Sequence, residues 1–158
     1  MKTIKIIQFL HLIFYVTVSS QLIFYLVIMS GALKLVTVDN FAELRKAIDS
    51  VADFRLRIVY YGCLALSLAT TIIFFYQGSQ PLFITSCIAL LCLVIDLVIA
   101  VKGNIPLNEQ INTYFTGNNA IDLDALRIQW IKFITYRGLF IVTGMISLLA
   151  GLLVGRSR

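Results

Sequence analysis

Four stretches of this chain run for about twenty residues or more with almost no charge, and no other feature restricts its fold as strongly. They extend from about Ile6 to Val38, from Ile58 to Tyr76, from Pro81 to Val101 and from about Phe133 to Val154. A helix rises 1.5 Å per residue, so about 20 apolar residues cross a hydrocarbon core of about 30 Å. Inside that core every backbone amide must be paired within its own segment, which leaves helices as the economical solution. The last three stretches fit one crossing each. The first is over-long and interrupted by Gln8, His11, Gln21 and Lys34. It has no Gly-Pro hairpin to let it cross twice, so it is expected to form one tilted or projecting helix. It also far exceeds the apolar core of a signal peptide and ends without an A-x-A-like site, so cleavage is not expected. Only 13% of residues are charged and 59% are hydrophobic, where a soluble domain carries about 25% charged residues. The expected fold class is therefore all-α: an integral membrane four-helix bundle, a single domain over residues 1–158, with the lipid bilayer as its principal partner.

The connections differ in character. "YQGSQP", Tyr76 to Pro81, predicts a tight turn, with Gly78 supplying backbone freedom and Pro81 starting the next helix. The first connection places Phe41, Leu44, Ile48, Val51 and Ile58 at helical spacing, with Glu43, Arg45, Lys46, Asp49 and Asp53 on other faces. It predicts an amphipathic interfacial helix running into the second span, with Asn40 and Glu43 as a capping box and Asp53–Arg57 as an i, i+4 pair. In the third connection Pro106 suits a first helical turn, and Leu107, Ile111 and Tyr114 form one apolar stripe. "TGNNAID" then predicts a turn with Asp122 as N-cap of the fourth helix. Both amphipathic helices fall on the same side of the membrane. Counting Lys and Arg alone places that side in the cytoplasm.

Several chemistries lack their residues. Cys63, Cys87 and Cys92 all lie in apolar spans with no C-x-x-C spacing, which argues against thiol–disulfide chemistry. A single histidine, His11, rules out bis-histidine haem within one chain, and no metal-ligand spacing occurs. Gly-rich phosphate loops and G-x-S-x-G elbows are missing. No cofactor, metal or nucleic acid is expected, and the net charge of +5 is assigned to juxtamembrane positions.

Ionisable residues at membrane depth remain, and these are costly enough to mark a site. Asp96 lies six residues before Lys102, and Arg137 five residues after Lys132. Successive spans are antiparallel, so each lies roughly 8–9 Å inside the same face, and an ion pair between them follows. Arg127, Trp130, Ile134 and Arg137 share one helical stripe. Arg127 and Trp130 read equally well as interfacial anchors or as site residues. Tyr60, Tyr61 and Arg57 open span two and Lys34 closes span one. With Asp96, Asn104, Asn108, Trp130 and Arg137 they are placed to line a polar pocket. His11 belongs near the opposite face. Ser19, Ser20 and Gln21 are expected to bond between helices, and Gly144, Ser147, Gly151 and Gly155 to pack closely, with a homodimer as one use of that stripe.

"NIPLNEQI", followed by "LRIQWIKFITYR", resembles the anthrone oxygenase-like family of small four-helix membrane proteins, largely uncharacterised in bacteria. The N-x-P-L-N element falls on Asn104, Pro106, Leu107 and Asn108. The R-x-x-W element with an Arg seven positions beyond falls on Arg127, Trp130 and Arg137. Phe133, Ile134 and Thr135 stand where that segment often carries a polar Asn or His. The resemblance implies a bacterial cytoplasmic-membrane location and, by analogy with fungal relatives, oxidation of anthrones to anthraquinones without metal or flavin. Arg137 or Lys34 would then stabilise the substrate anion, Asp96 would act as base or orienter, and Trp130 with Tyr60 would form aromatic walls. Three functions stay open: binding a small hydrophobic or aromatic ligand, cofactor-free oxygenation, and a transporter or structural role in which Asp96 and Arg137 merely pin two helices.

Overall fold

The computed structural model describes residues 2–115 and 122–155, and among them every element is helical. Helix α1 (Lys2–Phe24) passes through a π-helical turn (Tyr25–Met29) into α2 (Ser30–Leu35) without leaving helical backbone, as φ −57° at Phe24 and φ −60° at Ser30 record. The over-long first stretch is thus one continuous rod. It stops where Val36 turns extended, at ψ 158°.

Thr37 then caps α3 (Val38–Tyr76), its hydroxyl accepting the Asn40 amide at 3.3 Å. The capping box expected at Asn40 and Glu43 is therefore displaced. The extended backbone that a cap requires occurs at Val36 and Thr37, and Asn40 is already a helical donor. At 39 residues, α3 is about 58 Å long, nearly twice a hydrocarbon core. The amphipathic first connection is the projecting end of the second span, because no Gly or Pro interrupts the helix before Gly62. Its inward face differs from the expected stripe. Phe41, Ala42 and Arg45 are buried, whereas Leu44, Val51 and Ile58 are exposed. The side chain of Asp53 lies outside the described residues, and with it the Asp53–Arg57 pair.

A tight turn at Gly78, φ +67°, leads to α4 (Gln80–Ile99) with Pro81 in its first turn. A second π-helical turn (Ala100–Asn104) joins α4 to α5 (Ile105–Tyr114). Pro106 cannot donate to the carbonyl four residues back, and the wider π turn directly before α5 accommodates that loss. At Gly103 a Cβ would sit 2.8 Å from the Phe133 ring, so this junction lies directly on the last helix. Of the expected "TGNNAID" turn, residues 116–121 lie outside the described residues. Asp122 does cap α6 (Leu123–Gly155), accepting the Asp124 and Ala125 amides at 3.0 Å each.

Helices α4 and α6 make the most extensive pairing, and the small-residue stripe of α6 explains it. A Cβ at Gly144 would sit 3.1 Å from Cys92 Cβ of α4 and 1.9 Å from the Tyr15 hydroxyl of α1, one at Gly151 would meet the Thr85 hydroxyl of α4 at 2.1 Å, and Ser147 donates to the Thr85 carbonyl at 3.2 Å. Gly144, Ser147 and Gly151 are thus packed against neighbours within the chain. Ser19 and Ser20 bond to carbonyls of their own helix instead of crossing to another. Tyr15, Val18, Leu22, Leu93 and Ile141 fill the centre. Outward lie Phe9, Val27, Leu91, Leu139 and Leu153, all exposed. That combination places apolar side chains against lipid. Four helices are long and apolar enough to cross. The chain is an all-α integral membrane bundle.

Candidate functional site

Two polar clusters face each other across a cavity of about 450 Å³ bounded by α3, the α4–α5 junction and α6. The inner cluster is built on Arg137. Its Nε donates to Asp96 Oδ1 at 2.7 Å, one Nη to the Tyr60 hydroxyl at 2.9 Å and the other to Asn104 Oδ1 at 3.4 Å. Each partner comes from a different stretch of helix, so the guanidinium fixes three elements at once. Asp96 is completely buried, whereas Arg137 keeps 12% of its side chain exposed. The carboxylate stands behind the wall and the guanidinium forms part of it. One Asp96 oxygen, Oδ2, is buried without a hydrogen bond. Asn104 also donates to the Trp130 carbonyl at 3.3 Å, tying the junction to α6.

The outer cluster centres on Trp130 and Asn108. The indole donates to Asn108 Oδ1 at 2.9 Å, and the Asn108 amide donates to Asp49 at 3.0 Å. Asn112, one turn further along α5, gives Asp49 a second donor at 3.3 Å. Tyr25 and Phe41 pack edge-on to Trp130, with centroids 5.5 and 6.1 Å away. Arg45 lies over the same indole, its guanidinium carbon 4.3 Å from the ring centroid, within cation–π range. Its remaining contacts are stretched: 3.3 Å to Asn108 Oδ1, 3.5 Å to the Tyr25 hydroxyl and 4.0 Å to Asp49. Burial pushes the Arg45 guanidinium below its ordinary pKa, against the opposing pull of Tyr25 and Asp49. Between the clusters the walls are apolar, supplied by Ile48, Ala52, Leu56, Leu97, Ala100 and Ile134.

The fold therefore gathers Tyr60, Asp96, Asn104, Asn108, Trp130 and Arg137 and leaves four other candidates aside. Lys34 lines a separate recess with Arg127, Lys132 and Tyr136, on another face of α6. Lys34 is thus not among the residues that line the main cavity. Arg127 donates to the Val36 carbonyl at 2.7 Å and pairs with Asp124, closing the end of α2. Leu107 is buried in the core, and Pro106 shapes the first turn of α5. Sequence reasoning missed Arg45, Asp49, Asn112, Tyr25 and Gln21. A signal was present: Arg45 with Asp49 and Asn108 with Asn112 are both i, i+4 pairs, one per connection.

His11 lies apart, as its topology required. Its Nε2 is 2.7 Å from the Ser67 hydroxyl and its Nδ1 3.0 Å from that of Thr70, beside a space of about 20 Å³. That volume holds about one water molecule. Among the described residues no three of His, Cys, Asp and Glu converge. No protein-family model, curated protein or solved structure matches the chain.

Proposed function

We propose that this membrane protein binds a small amphipathic or aromatic molecule in the cavity between α3, the α4–α5 junction and α6. The observation that carries this reading is the pairing of about 450 Å³ of space with apolar walls and a cationic, hydrogen-bonding cluster at each end. Ligand sites combine mostly apolar lining with a few convergent polar groups in this way. Helices packed only for stability would close on each other and leave such a space filled. We further propose that α5 and the projecting end of α3 face the cytoplasm, which reporter fusions to each end of the chain would test.

Trp130 is the chain's single tryptophan, and it lines the cavity, so its emission reports on occupancy without a label. Titration of the purified protein in neutral detergent with 1-naphthol is expected to change that emission saturably. Ala52→Phe, which fills the groove from α3, is expected to remove the saturable change. A linear response in the native protein, or the same saturation in Ala52→Phe, would reject the cavity as the binding site.

The resemblance to the anthrone oxygenase-like family supplies a second reading, favoured by Arg137 and Tyr60 lining one corner. There the anion of a phenol or enol would be held by Arg137. Asp96, buried behind it, would orient the guanidinium instead of touching the substrate. The overall change, anthrone plus oxygen giving anthraquinone plus water, balances without a further reductant. Oxygen uptake with anthrone should exceed spontaneous oxidation and fall in Arg137→Lys. Uptake equal to the protein-free rate removes this reading and leaves the first standing.

A further inference from the structure

Arg45 and Arg137, both lining the cavity, are satisfied very differently. Arg137 has a carboxylate at 2.7 Å and spends its other donors on Tyr60 and Asn104. Arg45 is only 7% exposed, yet its nearest carboxylate, Asp49, is 4.0 Å away and already held by Asn108 and Asn112. Its Nε is buried with no acceptor. Its two Nη contacts are to neutral oxygens at 3.3 and 3.5 Å, at the far edge of hydrogen-bonding range. A buried guanidinium ordinarily secures an anion by a bidentate fork, since removing its charge from water is costly. Trp130 behind it attracts the cation but accepts no hydrogen bond.

Apolar side chains continue from this point. Ile48, Ala52 and Leu56 follow Arg45 along one face of α3 toward Tyr60. Fifteen residues at 1.5 Å rise make that run about 22 Å long, enough for an extended acyl chain. We infer that Arg45 is the headgroup subsite of the cavity, and that its ligand is a single-chain amphiphile with an oxyanion head, carboxylate or phosphate, forked on Arg45. The apolar body lies along Ile48, Ala52 and Leu56 of α3. This inference rests on the cavity being a ligand site. It adds the sign of the ligand's charge and the residue that reads it.

The test compares dodecanoate, dodecanol and dodecyltrimethylammonium, which share a chain and differ in head, by Trp130 emission in phosphatidylcholine nanodiscs at alkaline pH. Dodecanoate is expected to saturate about tenfold or more tighter than dodecanol, the scale of a charge-assisted fork, with the cation weakest. Arg45→Gln should bring dodecanoate to the dodecanol value measured in the same variant. Arg45→Lys should keep part of the preference, since it retains charge but not the fork, and it carries the test if Arg45→Gln does not fold. Equal affinity for acid and alcohol in the native protein, or an acid preference that survives in both variants, overturns the headgroup assignment alone. Absence of any saturable signal from all three amphiphiles overturns it together with the cavity reading. Added lysophosphatidylglycerol, which also has one chain, distinguishes the source of the anion: competition with dodecanoate points to a lysophospholipid phosphate, and no competition to a free acid. Either supports an oxyanion at Arg45.

Discussion

Replacing Asp96 and Arg137 separately and together tests whether their pair is a working part of the bundle. In Arg137→Leu the Asp96 carboxylate, with no exposure of its own, loses its 2.7 Å donor while its second oxygen already lacks one. Removing one partner of a buried pair costs about 3–5 kcal/mol, and this variant belongs at the upper end. In Asp96→Leu the guanidinium keeps the Tyr60 and Asn104 oxygens and its opening to the cavity. Its cost belongs near about 3 kcal/mol, the scale for a lone charge at membrane depth. The double variant leaves no unpaired charge and forfeits only the Tyr60 and Asn104 bonds, each about 1 kcal/mol. It should therefore be more stable than either single variant, with a coupling energy of about 3 kcal/mol or more in the double-mutant cycle. Reversible unfolding in mixed dodecyl sulfate and maltoside micelles, followed by helicity, measures all four proteins. Single effects that add, with coupling below about 0.5 kcal/mol, would show that water already screens the pair and would refute its burial. Retention of 1-naphthol saturation in a stable double variant would assign the pair to pinning helices alone.

Other outcomes follow from single contacts. Gly144→Ala should destabilise by about 1–3 kcal/mol, because the new methyl meets the buried Tyr15 hydroxyl and breaks its 3.0 Å bond to the Ala89 carbonyl. Gly31→Ala, with nothing within 4 Å, should instead gain up to about 1 kcal/mol from helix propensity; the same unfolding assay reads both. Thr37→Ala should cost about 1 kcal/mol by removing the α3 cap, visible as faster amide exchange in the first turn. Trp130→Phe removes the donor to Asn108 Oδ1 at 2.9 Å and should cost about 1–3 kcal/mol in the same unfolding assay.

Composition by itself determined that this chain crosses a membrane four times as helices. Long uncharged stretches leave the backbone no other way to pair its amides in hydrocarbon. The rise of a helix likewise set Asp96 and Arg137 at equal depth, because antiparallel neighbours share one scale, and the bond between them closes at 2.7 Å. Asp122 and Pro81 were readable as helix starts from local chemistry alone. What tertiary packing decided was direction. Along α3 the apolar residues Leu44, Val51 and Ile58 turn outward and charged Arg45 turns inward, the reverse of what an amphipathic stripe implies in water. Lipid receives a leucine as well as a protein core does, so hydrophobic periodicity no longer tells inside from outside near the bilayer. Close packing and polar pairing settle it instead, and both depend on partners remote in the sequence. Asn108 is 63 residues from Arg45 and 59 from Asp49, and no local pattern links them. Lys34 illustrates the converse: its depth fitted the site, but the rotation of its helix carried it to a different recess.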